Sequence, residues 1–274
     1  MAVTMADISH LRKMSGAGMM DCKSALQEAD GDFDKAMEII RKKGQAVAAK
    51  RSDREASEGC ALATENGGFA AAVALKCETD FVAKGAEFIA LTQNILDVAM
   101  DKRPADMAAL LATPLADGRA IQDHITDRIG VTGEKMELGF YEKVEGAATV
   151  SYIHPGNKLV TIVAFSQDVD HQVGRDVAMQ IAAMNPIAIS ADKVDQKTID
   201  TEMEIARDKA RQAGKPENLL DRIAEGALQK YFKENTLLQQ EFVKDNTMTI
   251  DQYLKKQNKD LTVVDFKRVT LNVE

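Results

Sequence analysis

GCALATENGGFAAAVALKCETDFVAK, residues 59–84, is the stretch on which the fold is read. Two runs, GCALATE and FAAAVALKC, flank Asn66-Gly67-Gly68. A two-residue turn between strands needs positive φ, which glycine and asparagine adopt cheaply, so the pattern predicts a β-hairpin. The second run ends in CETDFVA, where a thiol, two carboxylates, a hydroxyl and a phenyl ring sit together. Beyond it, over residues 86–101, Phe88, Ile89, Ile95, Leu96 and Ala99 share one face of a predicted helix.

The same plan recurs further along. ATVSYIH and KLVTIVAFS flank Pro155-Gly156-Asn157, a second hairpin signal, and a helix is predicted over residues 173–184, stopped by Asn185-Pro186. With the copies laid over each other at an offset of 90 residues, Val73 meets Val163, Ala74 meets Ala164, Leu75 meets Phe165, and Asp80 meets Asp170. Order and spacing agree although few identities survive, which reads as a duplication. Phe81 is replaced by His171, so the exposed-ring candidate belongs to the first copy alone.

Three short helices are predicted before the first hairpin. Thr4 with Asp7 reads as a capping box, with a helix to about residue 14. SGAG is a turn, 19–29 a second helix, and 33–43 a third, capped by Asp32 and ended by Gly44. The charged, alanine-rich residues 45–58 read as a helical linker. After the second copy, Ile199, Met203, Ala206, Ala210 and Ala213 step 4-3-4-3, a heptad seam. Gly214-Lys215-Pro216 breaks it, and Leu220, Ile223, Ala227 and Leu228 or Tyr231 supply a second helix. Together they predict an antiparallel helical hairpin about 25 Å long. The final stretch, TVVDFKRVTLNVE, alternates like a strand whose apolar phase shifts, which a bulge near Lys267-Arg268 would reconcile. The fold class is α+β. The expected domains are 1–54 (three helices and linker), 55–140 (first core subdomain), 141–190 with 235–274 (second core subdomain), and 191–234 (helical hairpin insertion).

Composition narrows the function. A net charge of −8 argues against a nucleic-acid surface. No apolar run approaches a membrane span, and the start lacks the basic tip and apolar stretch of a secretory signal, so cytoplasmic residence is expected. Cys22, Cys60 and Cys77 are too sparse for a disulfide framework or a zinc site, and the four histidines form no ligand pair. No metal or cofactor is expected. There is no G-x-x-x-x-G-K-[ST] loop, so the chain is not expected to bind nucleotide itself.

CETDFVA has several readings. A cysteine nucleophile needs a base within reach, and nothing in the sequence places one there; at the end of an apolar strand Cys77 is more simply a small buried hydrophobe. Paired carboxylates for acid–base work would need a pocket that nothing suggests. Thr79 as a helix N-cap, with Asp80 in the first turn, explains two residues without any chemistry. Phe81, near the helix tip, is left as either a core anchor or an exposed one. Met19 and Met20, about 100° apart on a helix, should split into one buried and one exposed. An adaptor, with three N-terminal helices on a helical scaffold, and a thiol enzyme are the competing classes.

LRKMSGAGMMDCKSALQEADGDFDKAMEIIRKKG, KCETDFVAK, DVAMQIAAMNP and GKPENLLDRIAEGALQKYFKENTLLQQEFVKD resemble, in order and spacing, the elongation factor Ts family of translation factors. The likeness covers nearly the whole chain. It implies a guanine-nucleotide exchange factor for the GTPase elongation factor Tu, with no covalent chemistry of its own. It also implies a ubiquitin-associated-like N-terminal domain, two core subdomains and an inserted coiled coil. Carried over by motif, Thr79, Asp80, Phe81 and Val82 would enter the GTPase near its magnesium site. Leu11, Arg12, Met19 and Met20 would meet its nucleotide-binding domain. Some members carry a further helix after the last strand; this sequence ends at Glu274, directly after TLNVE.

Overall fold

Thr4 opens the first helix with a reciprocal capping box: its hydroxyl accepts from the Asp7 amide and the Asp7 carboxylate accepts from the Thr4 amide. The computed structural model describes residues 3–272. Helices α1 (Met5–Ser15), α2 (Met19–Glu28) and α3 (Phe33–Arg51) close over a small core of Ile8, Leu11, Cys22, Ala25, Leu26 and Ala36. There follow strands β1 (Glu58–Asn66) and β2 (Phe69–Cys77), then helices α4 (Asp80–Ala83), α5 (Ala86–Lys102), α6 (Met107–Ala112) and α7 (Ile121–Thr132). Strands β3 (Met136–Glu145), β4 (Ala148–Ile153) and β5 (Leu159–Phe165) lead to α8 (His171–Met184). The chain then builds the helix pair α9 (Gln196–Gln212) and α10 (Leu220–Asn235), and closes with β6 (Glu241–Phe242), β7 (Asp245–Thr249), α11 (Ile250–Gln257) and β8 (Val263–Thr270). The fold is α+β: helices with small antiparallel sheets.

Two three-stranded sheets, ordered β1-β2-β3 and β4-β5-β8, share one topology. In each, a hairpin receives its third strand beside the second, and a helix follows the second strand. The second strands carry register shifts at Ala74/Leu75 and Ala164/Phe165, 90 residues apart. The sheets meet face to face through Ala61, Ala63, Ala70, Ala72 and Ala74 on one side and Val160, Ile162, Ala164 and Val269 on the other. Opposite faces alternate with period two, so Phe69, Val73 and Leu75 point away, into a core with Phe88, Ile95 and Ile125. Val163 and Phe165 likewise enter a separate core with Val177, Ile181 and Leu254. Strand β2 is buried on both faces, which is why its sequence is a continuous apolar run rather than an alternation.

Several sequence expectations need correcting. Gly44 does not end α3; the helix continues to Arg51 and absorbs half of the predicted linker. Gly44 lies instead where α3 crosses α7, against Gly130. Strand β3 spans the boundary drawn at residue 140 and pairs with β2 along its whole length, so it belongs to the first sheet. In β8 no bulge lies at Lys267-Arg268; the register shifts at Val264, and Phe266, half-buried against the second core, and Val269, buried between the sheets, face opposite sides of the strand. Val273 and Glu274, the end of the predicted last strand, lie outside the described residues. In the helix pair, Arg207 meets Asp221 and Arg211 meets Glu217, which fixes an antiparallel arrangement. On α10 the buried positions are Leu220, Ala224 and Phe232, while Ala227 is exposed, because two helices alone leave much of the seam open to water.

The α3–α7 crossing yields a prediction. A Cβ on Gly130 would stand 2.6 Å from the Gly44 Cα, a backbone clash, whereas a Cβ on Gly44 would sit 3.4 Å from the Gly130 Cα. Replacing a helical glycine by alanine gains up to about 1 kcal/mol of propensity, and overpacking costs about 1–3 kcal/mol. Gly130→Ala should therefore lower the urea midpoint of unfolding, and Gly44→Ala should leave it unchanged or raise it. The reverse order would show that the helices do not pack at this point.

Candidate functional site

The first copy's second strand ends at Cys77, whose side chain is fully buried. Burial, reinforced by the nearby Glu134 carboxylate, pushes its thiol up to about 12, and the thiol donates to the Thr79 carbonyl at 3.2 Å. A buried thiol so held clips a turn, and burial opposes the thiolate form that a nucleophile needs. Thr79 then caps the single turn α4 through its hydroxyl. The same hydroxyl donates to Glu134 Oε1 at 2.6 Å, and the Thr79 amide donates to Glu134 Oε2 at 3.0 Å. Beside it Glu78 accepts from the Lys135 amide at 2.7 Å and faces Arg51 and Arg54 at 3.5 and 3.4 Å.

On this mount sit the other three residues of the motif. Asp80 accepts from the Lys84 ammonium at 2.6 Å, and that bond holds its carboxyl below the ordinary carboxylate value. Val82 is half-buried against the first core, and Ala83 is buried. Phe81 is 84% exposed, the most exposed large apolar side chain among the described residues. The helix predicted over residues 86–101 is α5, and the Thr79 cap opens a separate single turn, α4, which ends before Gly85, so that the ring stands on a one-turn step of its own. The second copy has no such step. Asp170 caps α8 directly, and His171, its first residue, is exposed with Nε2 3.6 Å from Glu65.

The N-terminal candidates divide differently. Leu11 is completely buried among Ile8, Cys22 and Leu26, so its side chain holds α1 to α2 and is not available to a partner. Arg12 is exposed on the next position. Met19 and Met20 are both exposed, at 48% and 72%, rather than one of each. The buried stripe of α2 starts a turn later, at Cys22, Ala25 and Leu26; in the first turn Asp21 pairs with Lys43 of α3, while both methionines face outward. Met14 adds a third exposed methionine nearby in sequence. Sequence reasoning gave no sign of Glu134, Arg51 or Arg54, since their link to the motif is made only by tertiary folding.

A cavity of about 680 Å³ lies between the N-terminal helices, α5 and α7, beside the crossing of α3 with α7. Along its core wall His124 meets Asp117, Arg119 meets Asp127, and Arg128 meets Glu87. Among the described residues no group of three or more His, Cys, Asp or Glu is placed to hold a metal ion, and no helix is long and apolar enough to cross a membrane.

The family model for elongation factor TS matches residues 78–273. An elongation factor Ts of Porphyromonas gingivalis is 72% identical over 274 residues, covering all of both chains. One of Azobacteroides pseudotrichonymphae is 56% identical over 275 residues, and one of Bacteroides fragilis 45% over 331, again with both chains covered in full.

The state of the thiols can be checked directly. All three cysteines are buried. In the folded protein at pH 8, an aromatic disulfide reagent should label less than about a tenth of one equivalent within minutes, and three equivalents after unfolding in guanidinium. Rapid labelling of Cys77 in the native state would contradict its burial and reopen a nucleophilic role.

Proposed function

The chain belongs to the elongation factor Ts family, and on that premise we propose that it is a guanine-nucleotide exchange factor that binds elongation factor Tu and promotes GDP release for GTP reloading during translation elongation. The observation that carries the mechanistic part is Phe81: a phenyl ring 84% exposed on a turn whose neighbours are anchored on both sides. In this reading Thr79, Asp80, Phe81 and Val82 address the magnesium and phosphate site of the GTPase. Arg12, Met19 and Met20 form a second contact, with Leu11 supporting it from inside. The protein needs no cofactor, no nucleic acid and no membrane, and acts in the cytoplasm. The N-terminal helices serve as a ubiquitin-associated-like module, the two sheets with their helices as repeated core subdomains, and α9–α10 as an inserted coiled coil.

The energetics follow from linkage. A GTPase holds GDP through phosphate contacts and a magnesium ion, so an exchange factor must bind the emptied form better than the loaded one; equal affinity for both shifts nothing. Nucleotide then weakens the factor as much as the factor weakens nucleotide. Burying a phenyl ring is worth about 1.5–3 kcal/mol. If the pocket for Phe81 opens only when the magnesium-site elements have moved, most of that energy becomes coupling. It accounts for about one to two decades of exchange. Asp80 brings negative charge towards the cation's surroundings, and its tie to Lys84 is exposed and easily exchanged. The wider interface, including the N-terminal helices, supplies the remainder.

Stopped-flow release of fluorescent GDP from elongation factor Tu tests the assignment. Phe81→Ala should slow release at saturating factor by about ten- to a hundredfold, and Asp80→Asn by a smaller factor. Wild-type rates for both variants would remove this segment from the mechanism. His171→Ala, the matching position in the second copy, should cost far less than Phe81→Ala; equal losses would mean that both copies carry the probe.

A further inference from the structure

We propose that Glu134 is a positioning residue: it locks the Phe81 turn in its projecting geometry before any GTPase arrives. The inference rests on the exchange reading above and adds to it the device that keeps the ring out. A free apolar side chain on a mobile turn would fold back against its own surface, because that removes area from water. Here the turn is denied that freedom. Glu134 receives both hydrogen-bond donors of Thr79, amide at 3.0 Å and hydroxyl at 2.6 Å, from 55 residues away in the chain. Two bonds from one residue to the two oxygens of one carboxyl group fix orientation as well as distance.

The clamp is reciprocal. Glu78, one residue before Thr79, accepts from the amide of Lys135, one residue after Glu134. The carboxylates of two turns are thus exchanged across the same gap. Gly133, in the left-handed region at φ 73°, ends α7 and turns the chain so that Glu134 faces the motif. The Glu134 amide in turn donates to the Thr132 hydroxyl at 3.2 Å, which steadies the base of the clamp. On the far side Arg51 and Arg54, at and just beyond the end of α3, reach the Glu78 carboxylate, of which only 14% is exposed. The Phe81 turn is therefore tied to the helix that carries the N-terminal module as well as to the core.

Preorganisation of this kind has a distinct kinetic signature. When the binding-competent form is a fraction of the population, apparent affinity falls by that fraction, while the bound complex is unaltered. Glu134→Ala should therefore raise the factor concentration needed for half-maximal GDP release by about tenfold, the factor that 1.4 kcal/mol makes. The rate at saturation should stay within about twofold of wild type, unlike that of Phe81→Ala. Glu134→Gln, which keeps one acceptor oxygen, should lose less than Glu134→Ala.

The experiment uses the full chain with purified elongation factor Tu and fluorescent GDP, alongside hydrogen exchange at the Thr79 amide of the free factor. Exchange at that amide should speed up by about tenfold or more in Glu134→Ala, with the unfolding midpoint little changed. Three results would overturn the proposal: an unchanged Thr79 amide, an unchanged concentration dependence, or a saturated rate that falls as far as the half-maximal concentration rises. Should wild-type protein fail to release GDP at all, the exchange reading is what falls. A Thr79 amide slowed by Glu134 still upholds the clamp in that case, and one that is not slowed overturns it.

Discussion

Strand β2 is the constraint from which the rest of the molecule is organised. It is buried on both faces and paired on both edges, with β1 and β3. One face must approach the second sheet and the other must fill a helical core, and the residues divide accordingly. Ala70, Ala72 and Ala74 present only methyl groups to the neighbouring sheet, while Phe69, Val73 and Leu75 take the deep side. A larger residue at Ala72 would force the sheets apart, since interiors are packed to crystal density. The segment proposed to meet the GTPase follows this strand's C-terminus: Cys77 is its last residue and Phe81 lies four positions beyond. A rigid, doubly buried strand is a good root for a probe, because its end cannot move without disturbing two cores.

Phe81 itself runs against folding. Leaving a phenyl ring in water forgoes about 1.5–3 kcal/mol that burial would have contributed, a sizeable part of a domain's net stability. Local rules do not demand it; with Thr79 as cap and Ala83 buried, a polar residue at 81 would suit α4 better. Where a sequence departs from what its own fold prefers, the departure points outward. The surrounding hydrogen bonds sharpen this, since they spend two carboxylates on holding the ring's mount rather than on any core.

Much of this was legible in the sequence, and the gaps have physical causes. Both hairpins could be read because Asn66-Gly67-Gly68 and Pro155-Gly156-Asn157 announce positive φ. Thr79 was legible as a cap, and the helix pair as a seam. Strand β3 was hidden because MELGFYEKVE interrupts its alternation with Gly139, the extra residue of the register shift opposite Ala74 and Leu75. Helix α7 did carry a signal, with Ile121, Ile125 and Ile129 four apart and all buried. Gly44 misled because a glycine after a run of basic residues looks like a C-cap, whereas here its missing side chain admits Gly130. Leu11 misled for a different reason: a family motif marks what must be kept, and it does not separate the residue that touches a partner from the one beneath it. Glu134 could not be read at all, for a side-chain bond across 55 residues leaves no local pattern.

The two halves of the core show how one frame can be given unequal tasks. Their sheets share topology, hairpin order and the position of a register shift, so the backbone path leaving β2 and the path leaving β5 start from equivalent geometry. They diverge within five residues. In the second half Asp170 caps α8 at once, and the chain runs straight into a helix whose buried Asp176 is held by Lys244, Tyr253 and Gln172. In the first half Gly85 interrupts the helix after one turn, and that interruption is what frees position 81 from the stripe that α5 must bury. A continuous helix would have committed Phe81 to the spacing set by Phe88, Leu91 and Ile95. The break at Gly85 therefore matters as much as the ring: it uncouples one apolar side chain from its own core and leaves its orientation to a turn held by Glu134 and Glu78 on one side and by Val82 and Ala83 on the other.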